Sequence, residues 1–286
     1  MQNLLRGKFG RALINLRRVL ERIEHSSGLV YYVSPLLSQA NVRHAFTTRI
    51  GGVSSPPFDS LNLGNSPGNF QDTAENMKIN HQRIQSAIGT ADRRRRWVTQ
   101  VHGNIVRGTQ GCFVDGMDGD AMVSSDRNDL LTIRIADCAP ILLATTDGRA
   151  VAAIHAGWRG VIAGIIPAAV DQLAVHAGVS LNQIIAAIGP CIGFDAFEVG
   201  PEVWSVFEFQ FGRDVVRHES KGGKGYVDLR EAIKRQLVAA SIATDRIDIT
   251  DRCTFADCDM FFSHRRDHGV SGRMAAMISP RSFQWR

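Results

Sequence analysis

Short apolar runs recur along most of the chain and are separated by stretches rich in Gly, Pro, Ser and Asn. Runs of this kind, bounded by turn-forming residues and enriched in Val and Ile, are typical of buried β-strands. Several neighbouring runs lie too close in sequence for a helical crossover, so they do not all belong to one parallel sheet. The pattern predicts strands over residues 30–35, 44–48, 97–100, 105–107, 121–124, 131–135, 141–145, 151–155, 184–188, 247–250 and 274–278.

A few longer segments instead repeat apolar residues at helical spacing. In the first of them Asp72 is the predicted N-cap, with Glu75 three residues later, and Pro167 is a point at which the second can break. Strands and helices together favour an α/β fold with mixed sheets and outer helices, rather than a doubly wound nucleotide-binding fold. The predicted helices cover residues 72–88, 161–177, 199–211 and 229–240.

The first 28 residues differ from the rest of the chain. Residues 2–24 combine apolar residues at helical spacing with six basic and two acidic residues, so this segment carries four of the five formal positive charges. We predict a basic amphipathic N-terminal extension over residues 1–28, with residues 25–28 as a linker, and a single domain over residues 29–286. A helix docked on its own domain, attachment to an anionic membrane surface and an organelle-targeting signal are all open for the extension.

Charge and cysteine usage narrow the class of protein. Outside the extension the chain is close to neutral, which gives no indication of nucleic-acid binding. Because no apolar run approaches the roughly 20 residues that span a bilayer, we expect no integral membrane contact. Five cysteines, an odd number, in a chain without a recognisable signal peptide favour a reducing cytoplasm, where thiols stay free for metal binding or catalysis.

Three predicted strands each deliver one metal-ligating residue type that is closely followed by a small residue. These residues are His102, Cys138 and His155. Two imidazoles and one thiolate suit zinc, and three protein ligands leave the fourth tetrahedral position open for water, as in catalytic zinc sites. The alternative is that two buried histidines and a core cysteine share no ion, since free cysteine is often buried.

The sequence motifs around these residues identify a protein family more specifically than the spacing between the residues does. The chain resembles the YfiH-like family, also known as the multicopper polyphenol oxidase or laccase-domain family, over about residues 40–280. The matching words occur in the family's order. They are Thr-Arg-Ile-Gly-Gly-Val-Ser at 48–54, Gln-Val-His-Gly at 100–103, Asp-Ala-Met-Val-Ser at 120–124, Ala-Asp-Cys-Ala-Pro at 136–140, His-Ala-Gly-Trp-Arg-Gly at 155–160, Ile-Gly-Pro-Cys-Ile-Gly at 188–193, and Phe-Ser-His-Arg-Arg at 262–266 with Gly-Arg at 272–273.

The resemblance implies a single α/β domain with two central mixed β-sheets flanked by helices, and a zinc ion on His102, Cys138 and His155. It also implies phosphorolysis of adenosine, inosine, guanosine and methylthioadenosine, and deamination of adenosine, with purine nucleoside and phosphate as small-molecule substrates. Ser124 stands where the family commonly has Thr, and His264 where it commonly has Tyr. The second difference changes the pocket mouth and leaves the substrate preference open, as the oligomeric state is.

Asp137, next to Cys138, is a further candidate catalytic residue. In deamination a water at the open zinc position would attack the purine while a nearby group shuttles protons. Asp137 can be that shuttle, can orient a ligand histidine, or can have a purely structural role.

Phosphorolysis requires cationic groups for phosphate, and the candidates are Arg49 and Arg159. Arg49 precedes a Gly-Gly turn, and Arg159 lies in a turn bracketed by glycines. A structural ion pair is the alternative for each. Asn62, in the same loop region as Arg49, is a candidate substrate contact, although Asn in such loops commonly serves the turn itself.

Other functions are open at this point. A multicopper oxidase needs about ten histidines and a cysteine for its copper sites, whereas the chain has nine histidines in all. Copper can nevertheless occupy a zinc site in vitro. A metal-free cysteine hydrolase would use Cys138 as nucleophile and His155 or His102 as base. A non-enzymatic partner protein would dock through its basic N-terminal segment.

Overall fold

The computed structural model of the chain describes residues 19–66, 68, 70–219 and 223–281. The strands are β1 Glu21–Glu24, β2 Val30–Val33, β3 Arg43–Thr47, β4 Arg94–Arg96, β5 Val106–Gly108, β6 Ala121–Ser124, β7 Asp129–Ile135, β8 Ala139–Thr145, β9 Val151–Ala156, β10 Ile184–Ile188, β11 Glu198–Val199, β12 Val216–His218, β13 Gly225–Val227, β14 Ile247–Ile249 and β15 Met274–Ser279. The α-helices are α1 Pro35–Gln39, α2 Ala74–Ala87, α3 Trp158–Ile162, α4 Ile165–Ala177, α5 Pro201–Phe211 and α6 Leu229–Ala239.

Two mixed six-stranded sheets form the centre of the fold. The first has the order β1-β2-β3-β15-β7-β4 and is antiparallel except where β4 pairs with β7. The second has the order β14-β10-β8-β9-β6-β5 and is parallel only at its two edges. This architecture confirms the predicted α/β class with two central mixed sheets. No helix among the described residues is long and apolar enough to cross a membrane.

The two sheets pack face to face, and helices cover their outer faces. Ile133 of the first sheet and Leu142 of the second belong to the same buried cluster, between the sheets. Because side chains alternate along a strand, the neighbours of Leu142 point to the opposite face, where Ile141 packs in a cluster with Val170 of α4. Strand β8 is therefore buried on both faces, which explains its uninterrupted apolar sequence.

Edge strands are where the sequence prediction was wrong. Of the segment predicted as an N-terminal helix, residues 2–18 lie outside the described residues. Its end, Glu21–Glu24, forms strand β1, which pairs with β2. The predicted linker at 25–28 is the turn between these two strands. Further along, the strand predicted at 97–100 is replaced by β4, Arg94–Arg96. Arginines are tolerated there because Arg94 and Arg96 both bond the buried carboxylate of Asp129.

Two helix boundaries also differ from the prediction. The segment predicted as one helix over 161–177 is divided at Gly164, whose φ of +80° favours glycine, and Pro167 lies in the first turn of α4, where no backbone N–H is needed. The N-cap of α2 is Thr73, which accepts a hydrogen bond from Asn76 N at 3.1 Å. The predicted cap, Asp72, is instead buried and accepts bonds from neighbouring side chains.

His44 is a buried histidine in β3 with both ring nitrogens engaged. The backbone N–H of Ser34 donates to Nε2 at 2.8 Å, and Nδ1 lies 3.2 Å from the carbonyl oxygen of Val42. Nε2 accepts a hydrogen bond only while the ring is neutral. Burial lowers the pKa of His44 from 6.5 to about 4.

We therefore expect the free energy of unfolding to decrease as the pH falls from 6.5 to about 4. The folded-state pKa of His44 is below the unfolded value, so the unfolded chain binds the proton first and is favoured in this window, at a cost of about 3 kcal/mol. Urea unfolding at several pH values measures the slope. His44→Gln should reduce it, whereas replacing the exposed His218 with Gln should not; an unchanged slope in His44→Gln contradicts the prediction.

Candidate metal centre

The three predicted metal ligands converge at one end of the second sheet. Cys138 lies in the short turn between β7 and β8, and His155 is the penultimate residue of β9. Pairing of Pro140 with His155 brings the turn beside the end of β9. His102 comes from the loop after β4, not from a strand, and has a left-handed φ of +59°. The ligand atoms of the three side chains all lie within 4.8 Å of one another.

Asp120 holds two of these ligands in place. Its fully buried carboxylate lies 2.8 Å from His155 Nδ1 and accepts backbone hydrogen bonds from His102 N at 2.9 Å and Gly103 N at 2.7 Å. Burial by itself would raise the pKa of Asp120, but the hydrogen bonds lower it. Since Asp120 occupies Nδ1, the Nε2 atom of His155 is left for a metal ion. Sequence reasoning included Asp120 in a family word but gave it no role.

The electrostatics of the centre favour a thiolate. Burial alone would raise the pKa of the Cys138 thiol, but the charge of His155 and hydrogen bonds with His102 and His155 lower it from 9.0 to about 6. Burial opposes a charge on His155, yet Cys138 and Asp120 raise the pKa of His155. A thiolate is the form of cysteine that binds metal ions and acts as a nucleophile, so the pKa alone fits both hypotheses.

The donor set and the surrounding space fit a catalytic metal ion. Two imidazoles and a thiolate form a borderline-soft set of metal donors. In the described part of the chain, these three residues are the one group of three or more His, Cys or acidic side chains that are close enough to hold a single ion. A Cβ atom on Gly157 would lie 3.0 Å from His102 Cδ2 and 3.1 Å from Cys138 Sγ, so glycine keeps room for both side chains. Three ligands leave a coordination position open.

A cavity of about 550 Å³ opens onto these three residues. Apolar and aromatic side chains form one part of its wall, among them Trp158, Phe197 and Leu229. Arg134, Arg265 and Arg273 also line it, together with His264. Of the described lining residues only Asp137 is a carboxylate. The cavity is therefore positively charged and has apolar surface, which suits a ligand with an aromatic part and an anionic partner.

The three arginines were not singled out from the sequence. Arg273 directly precedes β15, and the pairing of Met274 with Ile135 places it beside the end of β7. Burial lowers the pKa of Arg273, while the nearby Asp137 and Cys138 oppose that shift. The feature of the sequence that could have indicated this charged wall is Arg134, a charged residue within a buried apolar strand. Such a residue is unusual and commonly functional.

Asp137 lies in the cavity wall but is occupied by other contacts. Its Oδ1 accepts a hydrogen bond from Thr254 Oγ1 at 2.6 Å, and its Oδ2 accepts from Ser263 Oγ at 3.0 Å and Arg265 N at 2.7 Å. The carboxylate that orients His155 is that of Asp120. The geometry thus gives Asp137 the structural role among the three that the sequence left open: it ties the segment around 254–265 to the metal centre.

The predicted phosphate ligand Arg49 lies outside the cavity. Its guanidinium donates to the backbone oxygens of Asp59 and Cys258, forms an ion pair with the Asp59 carboxylate at 3.0 Å, and stacks over Phe262 at 4.7 Å. The structure therefore supports the alternative, a structural ion pair. The reason is topological: the loop after β3 folds against the segment near 258, so Arg49 does not reach the lining of the cavity.

Asn62 and Arg159 also lie outside the lining of the cavity. Asn62 is fully buried, where it donates to Asp72 at 3.0 Å and accepts from Arg273 N at 2.8 Å, so it supports the cavity wall from behind. Arg159 is exposed and stacks over the ring of Trp158 at 4.3 Å, while Trp158 itself faces the cavity. Since neither side chain lines the cavity, a direct substrate contact by Asn62 or Arg159 stays a prediction that the cavity geometry does not favour.

For the zinc ion predicted at this centre, we expect Asp120→Asn to weaken binding by about 10- to 100-fold, the range for residues that orient a metal ligand. An amide cannot accept all three hydrogen bonds, because one of its two ends is a donor. Competition with a chromophoric chelator measures the affinity. Asp118→Asn, at an exposed position two residues away, is the matched control. Equal affinities of the two variants would show that Asp120 does not position the ligands.

The chain is similar to known proteins over most of its length. A model of the family described as multi-copper polyphenol oxidoreductase laccase matches residues 43–281. The purine nucleoside phosphorylase YfiH of Escherichia coli strain K12 is 37% identical over 232 residues, covering 81% of this chain and 91% of that protein. A purine nucleoside phosphorylase of Deinococcus radiodurans is 37% identical over 249 residues, covering 85% and 92%. The crystal structure of YlmD from Geobacillus stearothermophilus has a TM-score of 0.80 at 30% identity, covering 91% and 99%.

Proposed function

The chain belongs to the multi-copper polyphenol oxidoreductase laccase family, and from this premise we propose that it is a zinc-dependent purine nucleoside phosphorylase. The observation that carries the proposal is an open three-ligand centre, His102, Cys138 and His155, at a cavity with apolar and cationic walls. Relatives named purine nucleoside phosphorylase support the reaction class. Adenosine, inosine, guanosine and methylthioadenosine are the proposed nucleosides.

In this proposal the wall of the cavity positions the two substrates. Trp158 and Phe197 provide aromatic surface against which a purine base packs. The guanidinium of Arg273 binds phosphate, because planar N–H forks match phosphate oxygens and the surrounding burial strengthens the interaction. Asp120 keeps His155 in the tautomer whose Nε2 faces the metal. A zinc ion held by His102, Cys138 and His155 would supply a Lewis acid and lower the pKa of a bound water to about 7.

Adenosine deamination is a second proposed activity of the same site. Its support is the open coordination position, which is what a hydrolytic zinc enzyme requires. Asp137 is a poor proton shuttle in this arrangement, since its carboxylate already accepts three hydrogen bonds. His264 lines the cavity and, with its pKa lowered by burial and by nearby positive charges, is a neutral ring that can exchange a proton there.

Copper oxidation, which the family description names, is not supported by the donor groups. Multicopper oxidases hold several copper ions with about ten histidines and a cysteine. The nine histidines of the chain are dispersed, and in the described part they contribute two ligands to a single three-residue cluster. Copper can replace zinc at that cluster in vitro, since it binds such ligands more tightly. The five cysteines are all free thiols, which supports a cytoplasmic location.

Product analysis with adenosine tests the proposal. Zinc-loaded protein is incubated with adenosine in the presence and absence of phosphate. We expect adenine and ribose 1-phosphate when phosphate is present, and inosine if deamination also occurs. Inosine as the sole product assigns the site to deamination instead. Absence of turnover with every purine nucleoside, in protein shown to contain zinc, would defeat the functional proposal.

A further inference from the structure

A second cavity, of about 460 Å³, adjoins the catalytic one. Asn65 and Arg134 belong to the walls of both. Its described lining residues include no carboxylate. The side chains that give it chemical character are Lys78, His81, Gln82, Arg95, Trp97 and Arg134. The second cavity is therefore also cationic, although the proposed reaction does not use it.

Strand β4 directs Arg95 into this cavity. Side chains of successive strand residues point to opposite faces, and Arg94 and Arg96 both bond Asp129, at 2.7 Å and 3.1 Å. Arg95 consequently points away from Asp129. It is half-buried, and its guanidinium has no hydrogen bond or ion pair with any of the described residues. Asp129 thus neutralises Arg94 and Arg96, whereas Arg95 has no direct ion pair among the described residues and is only partly offset by the charge of Asp115.

Arg134 is the second cation of this cavity that has no direct ion pair among the described residues. Its stem packs on Gly64, where an added Cβ would lie 2.5 Å from Arg134 Cδ. Its guanidinium lies 5.7 Å from the centroid of the Trp97 ring. Within the described ranges no side chain forms a hydrogen bond or ion pair with that guanidinium. Glycine and tryptophan, rather than a carboxylate, therefore position this charge.

The two guanidinium groups are close enough to repel each other. Burial lowers the pKa of Arg95 and the charge of Arg134 lowers it further, while the charge of Asp115 opposes this shift. The same two charges, after burial, lower the pKa of His81 in the cavity wall to about 3, so this ring stays neutral. Half-buried like charges without a direct ion pair are unfavourable, and an anionic ligand between them would reduce that cost.

We propose that the second cavity binds the phosphate group of a small anionic ligand between Arg95 and Arg134. Guanidinium forks match phosphate oxygens, so the two arginines carry the proposal. Lys78 at the exposed rim is already ion-paired with Glu75 at 3.7 Å. The cavity is larger than one phosphate group, and Trp97 and Gln82 offer ring and amide surface for the remainder. A phosphate monoester of a small polar molecule, such as a sugar phosphate, fits this lining. Arg134 lines both cavities, whereas Arg95 lines the second cavity and not the catalytic one, so substitution of Arg95 tests this site separately from the nucleoside reaction.

Isothermal titration of the zinc-loaded full chain with inorganic phosphate and with ribose 5-phosphate tests this site. We expect ribose 5-phosphate to bind more tightly than phosphate, and Arg95→Gln to weaken binding about tenfold or more. Gly64→Ala should also weaken binding, because it displaces the stem of Arg134 without removing its charge. Arg127→Gln, at an exposed position outside both cavities, should have no effect.

The other outcomes are equally decisive. Loss of binding in Arg273→Gln but not in Arg95→Gln places the anion in the catalytic cavity and overturns the proposal, as does no binding of either anion to wild type. Arg95-dependent binding of inorganic phosphate alone supports the phosphate site and identifies free phosphate as the ligand. Arg95→Gln should unfold at the wild-type temperature or above, since it removes a repulsion; a lower temperature indicates a structural role. These results hold whether or not the protein turns over nucleosides.

Discussion

Cys138→Ala is expected to abolish tight zinc binding and to reduce nucleoside turnover by more than about 100-fold. Loss of a residue that only orients a metal ligand costs up to about 100-fold, and loss of the ligand itself should cost more. The substitution removes the thiolate and leaves His102 and His155, which are too few ligands for a catalytic zinc site. It also removes one of the two groups that raise the pKa of His155, the other being Asp120, so the pKa of that ring should fall. Zinc content by elemental analysis and turnover with inosine measure the two effects.

Chelation of the wild-type protein separates a metal enzyme from a cysteine hydrolase. Both models predict that Cys138→Ala is inactive, because the lowered pKa of Cys138 suits a nucleophile as well as a ligand. Only the zinc model predicts that a chelator removes activity and that zinc restores it. Cys112→Ala, which removes an exposed thiol, should behave as wild type. Full activity in metal-stripped protein would rule out the zinc model.

The convergence of the three candidate ligands was predictable because each lies in a distinctive local sequence motif. His102, Cys138 and His155 stand beside small residues, and the structure brings all three within 4.8 Å. The motifs did not indicate the path of the chain between the three residues. His102 was expected at a strand end, yet it lies in a loop fixed by the carboxylate of Asp120. Sequence motifs identify the candidate ligands but not the side chains, such as Asp120, that position them.

The cationic wall of the cavity was not predictable, because it depends on strand order. Arg273 and Arg134 are distant in sequence and meet because β15 pairs with β7 in a register that places Ala275 opposite Arg134. A sequence without strand pairings contains no such information. For the same reason Arg49 was assigned to phosphate from its Gly-Gly turn, although its loop folds toward Cys258.

Edge strands account for most of the errors in the fold prediction. Hydrophobic patterning detects strands that are covered on both faces, such as β8. Strands β1 and β4 form the two edges of the first sheet, and their sequences are Glu-Arg-Ile-Glu and Arg-Arg-Arg. Edge strands have one free side and tolerate charge, which also protects them from pairing with other chains. Their polar sequences therefore resemble loops or helix ends.

Arg273→Gln is expected to raise the KM for phosphate in phosphorolysis by about 10- to 100-fold, the effect of losing one hydrogen bond to a charged group. Arg273 lines the cavity close to Cys138 and has no ion pair with the described carboxylates, so its charge is available to a ligand. Adenosine deamination uses no phosphate and should change much less. Rates measured against phosphate concentration, with inosine saturating, give the KM.

Arg159→Gln is the matched control, because Arg159 belongs to the His-Ala-Gly-Trp-Arg-Gly word but is exposed and outside the cavity. Its KM for phosphate should equal that of wild type. The side chain of Arg273 also donates to the backbone oxygens of Ser271 and Gly272, so thermal unfolding must show that Arg273→Gln is folded. If Arg159→Gln raises the KM for phosphate and Arg273→Gln does not, phosphate binds at Arg159, as the sequence motif indicated. The assignment of phosphate to Arg273 is then wrong.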